Sequence, residues 1–169
     1  HQDAPALKVE GLDHFDPHTG QAQHFVHDPN VPDSLAANDL MTLYGDPSGE
    51  LWVGTWQSGL DRMNLANPGH FTHFTHDPFI PESIAGDEIW SLFRDRSGIL
   101  WVGNVNKGLN KLSAAANRFG LYRRNPTEPH SLGFDSIGAF AQTPDGDLWI
   151  GLWGGGLDRF DPTLGRFEH

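Results

Sequence analysis

The sequence predicts an all-β protein: a β-propeller of four-stranded antiparallel blades, each about 48 residues long. Three observations carry the prediction. One stretch recurs as Gly49-Glu50-Leu51-Trp52-Val53-Gly54, Gly98-Ile99-Leu100-Trp101-Val102-Gly103 and Gly146-Asp147-Leu148-Trp149-Ile150-Gly151, its tryptophans spaced by 49 and 48 residues. Each copy joins a turn glycine to an aromatic and β-branched run, the make-up of a strand. The 169 residues include 20 Gly and 12 Pro, which favours short strands joined by tight turns over long helices.

The first ten residues match nothing later and read as a separate segment over 1–10. From Gly11 the repeat is legible. Gly11-Leu12-Asp13-His14-Phe15 returns as Gly59-Leu60-Asp61-Arg62-Met63, Gly108-Leu109-Asn110-Lys111-Leu112 and Gly156-Leu157-Asp158-Arg159-Phe160, with apolar residues at the second and fifth places. An aromatic segment follows a short turn: His24-Phe25, Phe71 to Phe74, Phe119 to Tyr122, and Phe167. Next comes a link with paired prolines, Pro29 to Pro32, Pro78 to Pro81 and Pro126 to Pro129. Proline cannot donate to a ladder, so this polar link is expected to cross between sheets. It delivers the chain into short apolar strands at Leu40 to Tyr44, Ile89 to Phe93 and Ile137 to Ala141, each ending in a turn (Asp46 to Gly49, Asp95 to Gly98, Thr143 to Gly146) that returns to the tryptophan strand.

In order, each period holds strand A (the Leu40 type), strand B (the Trp52 type), strand C (the Leu60 type) and strand D (the Phe71 type). The expected units are a half blade over 11–28 and three blades over 38–77, 87–125 and 135–169. About three and a half blades are fewer than the roughly four to eight of a closed ring. Open flanks would expose apolar faces, so the expected partners are the remaining blades of a longer propeller or a second copy of the chain.

A formal charge of −11 argues against a polyanionic partner, so neither nucleic acid nor an acidic membrane surface is expected. The absence of cysteine excludes disulfides and thiolate metal sites. No apolar run approaches the ~20 residues of a membrane helix, and no cleavable leader is apparent. Any targeting signal is therefore expected elsewhere.

The pattern Asn38-Asp39, Asp46-x-x-Gly49-x-Leu51-Trp52-Val53-Gly54-Thr55, Gly59-Leu60-x-Arg62 and Phe71-x-x-Phe74 resembles the two-component regulator propeller repeat. The resemblance runs from Gly11 to His169. It departs at Asn104 and Leu152, which stand where Thr55 does, and at Thr143, which replaces the turn aspartate. The resemblance implies an extracytoplasmic sensor of a bacterial histidine kinase or hybrid two-component regulator, on the periplasmic or extracellular side. It implies a small-molecule ligand such as an oligosaccharide, with any kinase activity residing in an output domain outside this sequence. Strands of this kind also occur in propeller lyases of the streptogramin-lyase type, an enzymatic alternative; a structural protein-binding scaffold is a third.

Trp52, Trp101 and Trp149 occupy one strand position and are expected to fill the wedge between blades. Trp56 and Trp153 are not required by the repeat: they follow strand B, where the middle copy has Val105. Trp90 on strand A stands where other copies have Met41 and Gly138. These three could stack on a sugar ring, or could simply pack their own loops. Propeller topology puts the D-to-A and B-to-C links on one face. Asn38, Asp39, Asp87, Glu88, Asp135 and Ser136 should share that face with Gln57, Asn104, Asn106 and Lys107, as hydrogen-bonding partners for hydroxyls or as turn caps.

Most of the ten histidines fall on strand D or its exit, where a spacing of three puts His73 opposite His70 and His76; they are expected to decorate an outer strand and hold no metal. No catalytic residues and no cofactor are expected, since no nucleophile elbow, His-Glu-x-x-His or phosphate loop is present.

Overall fold

The computed structural model describes residues 11–113 and 118–169; the separate segment expected over 1–10 lies outside them. The described residues form fourteen strands. β1 (Leu12–Asp16) pairs with β2 (Gln21–Phe25) in a two-stranded sheet. β3 (Leu40–Gly45), β4 (Glu50–Thr55), β5 (Leu60–Asn64) and β6 (Phe71–Phe74) form the first four-stranded blade in chain order. β7 (Ile89–Arg94), β8 (Leu100–Asn104), β9 (Leu109–Ser113) and β10 (Arg118–Tyr122) form the second. β11 (Ile137–Gln142), β12 (Leu148–Leu152), β13 (Gly156–Asp161) and β14 (Arg166–Glu168) form the third. All pairings are antiparallel, and the innermost strands β3, β7 and β11 contact one another in sequence.

The core is divided into three wedges, one at each interface. Leu12, Phe25, Leu35, Val53, Met63 and Phe71 join β1 and β2 to the first blade. Trp52, Leu60, Ile84, Ile89, Leu100 and Val102 lead the second wedge, and Trp101, Leu109, Leu132, Ile137, Ile150 and Phe160 the third. Leu35, Ile84 and Leu132, which belong to the proline-rich links, are fully buried. The links do cross between sheets, but they are not polar throughout: each carries an apolar anchor into the wedge, and a Ser in each (Ser34, Ser83, Ser131) bonds back to the main chain six residues earlier.

The second glycine of the repeated stretch has a packing cause. A Cβ on Gly54 would meet Thr42 Cγ2 of its own blade at 2.6 Å and Ile89 Cγ2 of the next at 2.7 Å, and one on Gly103 would meet Ser91 Oγ of its own blade and Ile137 Cβ of the next at 2.7 Å. The inner strand of the following blade presses an isoleucine onto that glycine. At Gly151 a Cβ would meet nothing closer than Ala139 at 3.5 Å, an ordinary contact within its own blade.

The same asymmetry affects the tryptophans. Trp52 and Trp101 are 1% exposed, but Trp149 is only half-buried. Leu157 is 52% exposed where its counterparts Leu60 and Leu109 are fully buried. Both residues lie on the flank of the third blade that no described residue covers.

Candidate functional site

The inner strands enter their blades through a bulge. Leu40 pairs with Thr55 and Thr42 with Gly54, leaving Met41 as the extra residue; Trp90 and Gly138 hold the same place in the other blades. A bulge re-aims the side chain that it carries and recurs beside functional sites. Here it turns Trp90 toward the loops that follow β4 and β12. The Trp90 ring lies 6.3 Å from that of Trp56, tilted by 31°, and 4.9 Å from that of Trp153 in an edge-to-face contact of 79°. The three tryptophans that the repeat does not require thus form one row across three blades.

The row is fixed from its backbone. Trp56 N–H donates to the Asp39 carbonyl and Trp153 N–H to the Ser136 carbonyl, with Val105 N–H bonding Glu88 in the same way. The loop after each B strand is therefore tied to the residue before its own A strand. Trp56 is 37% exposed and Trp153 66%, with Trp90 half-buried between them. The Trp90 indole N–H is buried without a partner among the described residues, but so is that of the core residue Trp52.

Beside the row, Gln57, His76, Gly86, Asp87, Glu88 and Lys107 line a cleft of about 450 Å³. Four of the polar residues singled out in the sequence converge there. Gly86 is needed for close approach, since a Cβ would meet the Lys107 Cγ at 2.7 Å; the lysine stem lies across it. His76 is not free to act as a base through both nitrogens, because its Nδ1 faces the Ile84 carbonyl oxygen at 2.9 Å.

Other candidates serve the scaffold. The side chains of Asn38, Asp87 and Asp135 accept the backbone N–H groups of His27, His76 and Arg124, which is the turn-capping role. Asn104 is fully buried, with Nδ2 donating to the Gly86 carbonyl, so its placement on the open face is corrected. Asn106, at φ 54°, is held by Ser136: its N–H donates to Ser136 Oγ, whose hydroxyl donates to Asn106 Oδ1. Asp39 is exposed.

The histidines do more than decorate. His73 Nδ1 lies 2.6 Å from Asp61 Oδ1, and His169 Nδ1 lies 2.8 Å from Asp158 Oδ1, each carboxylate belonging to a buried residue. Each aspartate also takes a link N–H through Oδ2, from Ala36 and Gly133. The signal available in the sequence was the Asp on strand C opposite a His on strand D. Among the described residues no group of three His, Asp or Glu side chains is arranged to hold a metal ion.

The repeat itself is diagnostic. The model of the two component regulator propeller matches residues 34–57, 83–106 and 131–154, one segment per complete blade. The repeats belong to the two-component regulator propeller family. The matched segments begin at the link residues Ser34, Ser83 and Ser131 and end in the loop after the B strand, so the first includes Trp56 and the third Trp153, and all stop short of the C and D strands.

Solved structures agree on the fold. An extracellular domain assigned to the hybrid two component system BT3049 of B. thetaiotaomicron superposes with a TM-score of 0.81 at 23% identity, over 95% of this chain and 22% of that one. An extracellular domain assigned to the one component system BT4673 of the same organism gives 0.69 at 19%, over 95% and 21%. The virginiamycin B lyase of Staphylococcus aureus gives 0.56 at 17%, over 77% and 40%. This chain spans about a fifth of the length of the first two. No curated protein matches it.

Proposed function

We propose that this chain is part of an extracytoplasmic ligand-sensing propeller in a bacterial two-component signalling protein, and that it binds a small molecule such as an oligosaccharide on the row of Trp56, Trp90 and Trp153. One observation carries the binding reading. Three tryptophans that the repeat does not require, Trp56 and Trp153 where the middle copy has Val105 and Trp90 where the others have Met41 and Gly138, come into ring contact on the face where the loops converge. Indole faces offer a flat apolar surface to the C–H face of a sugar, and Gln57, Asp87, Glu88 and Lys107 in the adjoining cleft offer partners for hydroxyls. The repeat family and the extracellular origin of the similar domains support a sensor on the outer side of a membrane.

The partner proposed for the third blade is a further blade, which would seat an apolar inner-strand residue on Gly151 and cover Trp149 and Leu157. Ligand binding would signal by favouring one packing of the sensor over another; equal affinity for both would shift nothing.

A glycan and metabolite thermal-shift screen of the full-length protein tests the proposal. A saccharide that raises the unfolding midpoint of the wild type and not of the Trp56→Ala, Trp153→Ala double variant is the expected result. Equal stabilisation of both would remove the row from the site.

A second reading, a propeller lyase, draws on the meeting of His76 with Asp87 and Glu88 in one cleft. Turnover of a cyclic ester substrate that His76→Ala abolishes would favour it over the sensor.

A further inference from the structure

His73 presents both ring nitrogens to acceptors: Nδ1 to Asp61 Oδ1 at 2.6 Å and Nε2 to the Pro32 carbonyl oxygen at 3.0 Å. A carbonyl oxygen only accepts, so Nε2 must carry a proton, and an ionised Asp61 carboxylate requires another on Nδ1. The arrangement is complete only when the pair holds the extra proton of an imidazolium. A neutral ring would turn a lone pair toward one of the two oxygens.

Three elements meet at this point. His73 lies on β6, Asp61 on β5, and Pro32 in the link that enters the first blade. Asp61 Oδ2 also accepts the Ala36 N–H at 2.8 Å, and Phe71 N–H donates to the Asp33 carbonyl at 2.8 Å. The second blade is built without the charge: Asn110 replaces the aspartate, Leu121 replaces the histidine, and Asn110 Nδ2 donates to the Gly120 carbonyl. The fold does not demand an ion pair at this place.

We propose that His73 is a proton-operated latch that fastens the Pro32–Ala36 part of the link to β5 and β6 when protonated and loosens it when neutral. The cleft affected measures about 380 Å³ and is walled by His73, Leu35, Ala36 and Gln57, the last adjoining Trp56. Proton loss would leave the buried Asp61 carboxylate without its counter-charge. The groups around the latch are Asp61 from β5, Asp33 and His27 from the link, Asp87 across the cleft, and His70 just before β6, paired with Asp33 at 2.6 Å.

Burial alone would lower the His73 imidazole, but the bond and charge of Asp61 hold it above its ordinary value. Burial raises Asp61, against the opposing bond from His73. For a histidine raised by folding, the stabilisation is complete below about pH 6.5, its unfolded value, and is lost as pH climbs through the raised folded value. A raised aspartate acts in the same sense, since its ionisation is disfavoured in the fold.

Nitrogen-15 NMR of the full chain tests the latch. Both His73 ring nitrogens should be protonated at about pH 6.5, with a midpoint above that ordinary value. Exchange of the Ala36 and Phe71 amides, corrected for intrinsic base catalysis, should quicken about tenfold per unit once His73 deprotonates. His73→Gln should remove that pH dependence. A single protonated nitrogen with a midpoint at or below about 6.5, or exchange that ignores the titration, would overturn the proposal. The titration is read on the wild type, so a variant that fails to fold leaves the test intact.

Discussion

Gly103 and Gly151 occupy the same place in the repeat and have opposite surroundings. At Gly103 a methyl group would meet Ser91 Oγ at 2.2 Å and Ile137 Cβ at 2.7 Å, and at Gly151 only Ala139 at 3.5 Å. Overpacking of a filled site costs about 1–3 kcal/mol. Gly103→Ala should lower stability by that amount in urea unfolding, and Gly151→Ala should leave it within about 0.5 kcal/mol. Equal effects would mean that neither Ser91 nor Ile137 crowds the place of the missing side chain. The repeat pattern made Gly54 and Gly103 visible in the sequence, but not what crowds them across the interface, because the isoleucine pressed onto each lies 35 or 34 residues further along, in the next blade. Likewise, the Asp and His of the His73 latch were legible as single residues. Their pairing was not, because it depends on the register that sets Asp61 opposite His73 across β5 and β6.

At the scale of the element, the four strands of each blade followed from turn glycines, aromatic runs and prolines. The links did not read as core, since one apolar residue among Pro, Asp and Ser carries little periodic signal. Ile84 nevertheless is fully buried and packs with Trp52 and Leu100. Ile84→Ala should therefore cost about 2–5 kcal/mol by calorimetry or denaturant titration, as for a core position within a strand. A cost near that of a surface change, about 0.5 kcal/mol, would show that the link is only laid over the wedge. The bulge escaped sequence reading for a related reason: Met41, Trp90 and Gly138 share no side-chain property, and only the pairing register shows each to be the extra residue.

For the whole molecule, the division of labour among the six tryptophans is the principal result. Trp52 and Trp101 close wedges between blades, Trp149 sits at the same place on an uncovered flank, and Trp56, Trp90 and Trp153 form the row on the loop face. What recurs in every copy builds the propeller, and what differs between copies is proposed to bind. Each indole N–H gives its own proton–nitrogen resonance, so a spectrum of the six recorded while an oligosaccharide is titrated in reads both groups at once. The account predicts that the signals of Trp56, Trp90 and Trp153 move together and saturate while those of Trp52, Trp101 and Trp149 stay in place. Movement of Trp52, Trp101 or Trp149 with the loop-face row unchanged would contradict it.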